Sequence, residues 1–260
     1  MKTRLKMISQ FFNYFCSHPY IRAKVLKIRF LYFSKIRGIR FYDTGTGEHL
    51  KPKLISHNLS AFENISVDFS MRRMNMLISA LTAIEKINTN SKILIIGPRT
   101  ENDIFILRGL GFLDIQGLDL ISYSPLIQLG DMHNIPFSDN TFDAVICGWT
   151  ISYSTNPSLA AAEMVRVLKN GGLIALGLEH VIFENEINKP RDSHLVDLDR
   201  PSDRVNSCED LANLFNSVKL EIYFNHNAPL RKLLPSSIEK ITGLCSSQVM
   251  FVAGINKAEN

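Results

Sequence analysis

From Lys92 onward the chain alternates short, uninterrupted apolar runs with segments of helical spacing. That alternation constrains the fold more than any other feature. KILII (Lys92–Ile96) reads as a strand closed by Gly97. Thr100 can cap a helix predicted over Glu101–Leu110, with acids in its first turn and Gly111 after its end. Ile115–Leu120 reads as a second strand, and Ala144–Cys147 lies in a third, FDAVICGW. Asn156-Pro157 starts a helix predicted to reach about Lys169, before Asn170-Gly171-Gly172. Leu173–Leu178 (LIALGL) is another strand, Glu209–Asn216 a helix opened by Ser207, and Lys219–Phe224 and Gln248–Ile255 are closing strands. A strand that is apolar at every position has no face for water, so the sheet is covered on both sides. The expected fold is α/β: a doubly wound, mostly parallel sheet with helices on both faces.

The first 42 residues follow another rule. They hold ten Lys or Arg and no acid, which leaves 19 bases against 25 acids in the rest of the chain. Ten of the 24 aromatic residues are also here. This predicts a basic, aromatic-rich N-terminal helical extension (residues 1–60) ahead of the α/β domain (residues 61–260). Three readings stay open for it: a helix packed on the domain with its bases in water, a peripheral contact of residues 1–42 with a membrane surface, or a nucleic-acid contact. No recognised nucleic-acid reading motif supports the last. MISQFFNYFCSHPY carries too many polar residues for a secretory signal core. No run approaches the roughly 18 apolar residues of a membrane-spanning helix. Cys16, Cys147, Cys208 and Cys245 are far apart and form no C-x-x-C pair. This argues against a disulfide framework and a metal site, and for a reducing, cytoplasmic setting with membrane association left open.

In doubly wound sheets ligands bind beyond the carboxyl ends of the strands, which directs attention to the residues there. Asp119 ends the second strand, in GLDL with Leu120, where an acid can accept from a ribose diol; a turn Asp is the alternative. In Gly130-Asp131-Met132-His133, the Asp131 carboxylate can take an exocyclic adenine amine while Met132 packs on the base. Asp139 and Asp143 read as caps and turns. Trp149 and Tyr153 either wall a pocket or pack in the core. Cys147 reads as a small buried strand residue. His180, after Glu179, and His133 are candidate general bases, or hydrogen-bonding spacers.

Two segments, GDMHNIPFSDNTFDAVICGW (Gly130–Trp149) and EMVRVLKNGGLIALGLE (Glu163–Glu179), resemble class I S-adenosylmethionine-dependent methyltransferases of the Rossmann-like type. The resemblance covers about Lys92–Lys257 and leaves residues 1–60 outside. It implies S-adenosylmethionine as cofactor, and an acceptor that is a small molecule, a glycan or a lipid-linked intermediate. The rival is a methyltransferase-like binding or scaffold protein that has lost the cofactor site.

The chain departs from that family at its first motif. The family pattern D-x-G-x-G-x-G, aligned on Gly97, puts Ile95 at the acid and Arg99 and Glu101 at later glycines, giving IIGPRTEND with Pro98 between. Glycines matter there because the backbone must approach the cofactor closely. Glu101 can offer a carboxylate to the methionine ammonium, and Arg99 can meet the ligand carboxylate or an anionic substrate. A second departure is length. Eleven residues separate Asp119 from Asp131, too few for a helical crossover. A short connection is expected there, its exposed face covered by the N-terminal segment or by a partner subunit in a homo-oligomer. Ile182–Asn206, rich in both charges, reads as a substrate-selecting lid or a solvated loop.

Overall fold

A computed structural model describes residues 14–15, 17–42, 62, 71–183, 205–227 and 244–257. Five helices lie in this part: α1 (Pro19–Arg37), α2 (Met71–Thr82), α3 (Asn102–Gly109), α4 (Pro157–Val167) and α5 (Cys208–Asn213). The strands are β1 (Arg40–Phe41), β2 (Ile93–Ile96), β3 (Ile115–Asp119), β4 (Ile121–Ser122), β5 (Ile127–Leu129), β6 (Phe142–Gly148), β7 (Leu168–Phe183), β8 (Lys219–Asn227) and β9 (Leu244–Asn256). Seven of them form one sheet in the order β5-β3-β2-β6-β7-β9-β8. β5, β3, β2, β6 and β7 pair in parallel, while β9 runs antiparallel to both β7 and β8. This is a Rossmann-like, doubly wound and mostly parallel sheet, as the apolar runs predict.

The pleat explains why β2 is apolar throughout. Leu94 and Ile96 point into a core closed by α4 and α5, with Ala161, Met164 and Leu211. Ile93 and Ile95 point the other way, against α2 and α3, with Leu77, Leu81 and Ile104. All four β2 side chains are buried, and each stabilises the sheet by about 1.5–3 kcal/mol relative to exposure. Ile95, the position aligned with the family's strand acid, is therefore a core residue. An acid there would lose its hydration inside the α2–α3 layer.

Several boundaries move. The helix begun at Asn156 ends at Val167, because Leu168 already pairs with Phe142. β7 continues past Leu178 to Phe183, since β9 pairs with it as far as Leu244. His180 therefore lies inside a paired strand opposite Ser247, not beyond a strand end. Ahead of β2 the chain forms α2, and Phe62 is buried. The 60/61 domain boundary lies outside the described residues, as does all but the ends of the 182–206 lid segment.

The short link after β3 is built as the residue count requires. Between the parallel strands β3 and β5 the chain makes only β4, which pairs with β1 of the extension. Ser122 and Ser124 tie the turn: the Ser122 hydroxyl donates to the carbonyl of Ile127 (2.7 Å), and the Ser124 Oγ accepts from the Leu126 N–H (2.9 Å). Leu26 of α1 packs with Phe62, Phe105, Ile121 and Tyr123 over this link. Tyr123 meets the rings of Phe30 and Phe62 edge-on at 5.0 and 5.5 Å. The extension thus supplies the apolar cover that a crossover helix would otherwise give.

Candidate functional site

The chain runs outward from β2 through β3 to β5, then crosses back to β6 on the other side of β2. The crevice of this sheet therefore opens between the carboxyl ends of β2 and β6. Two loops meet there. Gly97 follows β2 with φ +68°, and its N–H donates to the Leu118 carbonyl (2.8 Å). A Cβ at Gly97 would fall 2.2 Å from the Thr150 Oγ1 and 2.9 Å from its Cβ. Glycine is needed at 97 because Thr150, from the loop after β6, presses on it.

Two non-glycine residues flank this contact in the left-handed region, Arg99 (φ 58°) after β2 and Trp149 (φ 59°) after β6. Such conformations persist where surrounding contacts hold them, and they cluster at functional sites. Arg99 is held by its own N–H, which donates to Asp119 Oδ2 (2.9 Å). Trp149 is held by its N–H to the Gly177 carbonyl (2.6 Å), and its ring lies where a Gly177 Cβ would stand. The indole packs into the α2-side core near Met74 and Met250. Tyr153 is half-buried in a 3₁₀ turn over Ile151–Tyr153.

Asp119 sits buried at the end of β3, 9% exposed as a residue; its second oxygen accepts from the Ile121 N–H (3.2 Å). Burial pushes its carboxyl above the ordinary carboxylate range, against the backbone donors that favour the ionised form. With backbone donors from Arg99, Ile121 and Leu120 on two oxygens that offer about four acceptor sites, the carboxylate retains limited acceptor capacity toward a diol. Leu120 follows, half-buried, its carbonyl taken by the Tyr42 N–H of the extension (2.8 Å).

Glu101 has a different setting. Its side chain is fully buried, and its carboxylate takes both the Arg29 Nε (2.5 Å) and a terminal guanidinium nitrogen (2.8 Å) from α1. The Ser124 hydroxyl donates to it as well. The alignment places Glu101 where the family has a glycine, and the structure turns it away from the β2–β6 crevice, under the extension. Pro98 is buried at the start of this loop.

Just after β5, Asp131 and Asn134 form an isolated bridge. Asp131 Oδ1 accepts from the His133 N–H (2.9 Å) and lies 2.6 Å from His133 Nδ1. His133 Nε2 lies 2.7 Å from Ser154 Oγ, which also accepts from the Asn156 N–H (3.1 Å). The tautomer consistent with these contacts has Nδ1–H donating to Asp131 and Nε2 accepting from Ser154. Met132 packs on the α4-side core. Arg166 of α4 fixes the next residues: it bonds the carbonyls of Ile135 and Phe137 (both 2.8 Å), and pairs with Asp139 and Glu163 (both 2.7 Å). Glu163 in turn accepts from the Ile135 N–H (2.7 Å). Asp143 lies within β6 and not in a turn, and its carboxylate accepts from the Lys92 N–H (2.7 Å). Cys147 is wholly buried, its thiol pushed up to about 12 by burial, which keeps it unreactive.

The structure thus joins Gly97, Arg99 and Asp119 in one loop cluster, and Asp131 and His133 in another. Thr150, Ser154 and Arg29 are the residues that sequence reasoning misses. Ser154 stands two before the Asn156 cap, a weak signal; Arg29 lies 72 residues from its partner and has none. Among the described residues no cluster of His, Cys, Asp and Glu could hold a metal ion.

Residues 116–176 match a family described as a methyltransferase domain. That segment is similar to methyltransferase domains, and it lies in a Rossmann-like sheet. Over 54 residues, 20% of the chain, it is 39% identical to a demethylmenaquinone methyltransferase of Desulfitobacterium hafniense. Over 49 residues, 19% of the chain, it is 48% identical to a biotin biosynthesis bifunctional protein of Teredinibacter turnerae. The matched stretches span only 21% and 9% of those relatives' own lengths. Among solved structures, the YcgJ protein from Bacillus subtilis is similar over 73% of this chain and all of its own, at 17% identity and a TM-score of 0.49.

Proposed function

We propose that the chain is an S-adenosylmethionine-dependent methyltransferase acting on a small molecule. The observation that carries this is the pair of carboxylates beyond neighbouring strand ends, Asp119 at the end of β3 and Asp131 just after β5, beside the β2–β6 crevice. The methyltransferase-domain match over 116–176 spans both, and the relative named demethylmenaquinone methyltransferase supports a small-molecule acceptor over a glycan.

The residues fit the nucleoside end of the cofactor. Asp119 would accept from the ribose diol. Asp131, oriented by His133 and Ser154, would accept from the adenine amine, with Met132 beside the base. The methionine end is less well matched: Ile95 is core, and the Glu101 carboxylate is committed to Arg29 and Ser124. Backbone at Gly97–Arg99 is what remains of the loop on that side. When bound, the cofactor supplies an electrophilic sulfonium methyl. What the protein contributes is orientation, which for two reactants held in line is worth as much as about 7–11 kcal/mol. In this reading His133 positions Asp131, because both its ring nitrogens are engaged, and His180 is left as the candidate base on β7.

The Glu101–Arg29 pair and the pressure of Thr150 on Gly97 favour one rival, a methyltransferase-like binding protein without cofactor. Calorimetry with S-adenosylmethionine and S-adenosylhomocysteine separates the two. Binding that Asp119→Ala weakens roughly tenfold or more is expected, from the loss of charge-assisted hydrogen bonds. A flat titration at millimolar ligand establishes the rival.

A further inference from the structure

We propose that the outer face of α1 is a docking surface for an anionic lipid bilayer. α1 uses one side to hold the domain. Arg29 pairs with Glu101, the Arg22 Nε donates to Asn102 Oδ1 (3.0 Å), and Leu26 is buried beneath the helix. Its other side carries Ile28 and Leu31, 67% and 58% exposed, and Ile36, 61% exposed, lies on the helix flank near its end. Lys24, Lys27 and Lys35 are exposed among them, and no acid occurs anywhere in residues 1–42.

The two chemistries together choose the partner. Exposed aliphatic side chains gain nothing in water or on a phosphate backbone, but they gain by entering the acyl boundary of a bilayer. Interleaved lysines meet anionic headgroups while their stems lie along the apolar surface. A second copy of the same face is excluded by its charge, since lysines would meet lysines. No described helix is long and apolar enough to cross a membrane, so the contact is peripheral. Because Arg29 and Arg22 fasten the inner side to the start of α3, docking brings the loop after β2 close to the lipid surface. The proposal does not depend on the methyl-transfer reading.

The test is co-sedimentation of the full chain with vesicles of phosphatidylcholine containing about a third phosphatidylglycerol, beside pure phosphatidylcholine. Binding to the anionic vesicles alone is expected. At about fivefold per lysine, the triple variant Lys24→Glu, Lys27→Glu, Lys35→Glu should bind roughly a hundredfold more weakly. Ile28→Ser, Leu31→Ser, Ile36→Ser should lose about tenfold or more with the charge unchanged. Equal binding to both vesicles, or none, overturns the proposal. So does an aliphatic variant that binds like the parent. A single-stranded RNA oligomer bound more tightly than vesicles, through the lysines and regardless of the aliphatic residues, assigns the face to nucleic acid instead. Both variants should keep the parent's circular dichroism and melting curve; one that unfolds shows that this face is partnered within the protein.

Discussion

At the residue scale, the loop after β2 is governed by two side chains it does not contain. Thr150 makes Gly97 obligatory, and Arg29 neutralises Glu101. Gly97→Ala should destabilise by about 2 kcal/mol, from overpacking added to left-handed strain. Thr150→Ala removes the two atoms nearest the added methyl, so the double variant should recover part of that loss in urea unfolding. Equal losses in the single and double variants would mean that the backbone conformation alone demands glycine. Glu101→Gln leaves Arg29 without a full countercharge. A buried pair broken this way can lose several kcal/mol, but Arg29 is a quarter exposed, so about 2 kcal/mol is expected. Glycine spacing was legible in the sequence as a departure from the family pattern. Its resolution was not, because contacts spanning 53 and 72 residues leave no local periodicity.

At the element scale, α4 does more than cover the sheet. Its Arg166 holds the 135–139 segment that follows Asp131 and His133. The Arg166 guanidinium beside Glu163 keeps that carboxyl below its usual range. A depressed folded-state pKa contributes stability above the unfolded value of about 4.3, and loses it as pH falls through the lower folded value. Arg166→Ala should therefore cost about 1–2 kcal/mol near neutrality. That gap from the parent should narrow between about pH 5 and pH 2. Urea midpoints across that range check it; a gap independent of pH would place the effect on the carbonyl contacts alone. The helix itself was readable from Asn156-Pro157, since the Asn156 side chain caps it by accepting from the Leu159 N–H (3.1 Å). The hub that Arg166 makes was not, because two of its acceptors are backbone carbonyls and carry no side-chain signature.

At the scale of the whole molecule, the extension and the sheet act as one unit through the cluster around Leu26, Phe105 and Tyr123. Leu26→Ala should cost about 2–4 kcal/mol, as buried leucine truncations do. Trp149, the single tryptophan, lies in the separate core cluster beside α2. Its fluorescence should lose stability in step with the far-ultraviolet circular dichroism if folding is cooperative. A separate early transition in circular dichroism alone would show α1 to be an independently melting appendage.

Apolar runs with no wet face could belong only to a sheet buried on both sides, and Gly, Pro and Asn mark its turns through their own backbone preferences. The order of strands and helices along the chain was therefore written locally, in residues such as Ile93–Ile96 and Asn156, while the far end of β7 was set by its pairing with β9. Placement of Arg29 against Glu101, Thr150 over Gly97 and Ser154 beside His133 arose only when distant segments met in space. Burial and charge pairing are properties of neighbours in three dimensions, and a sequence orders neighbours in one.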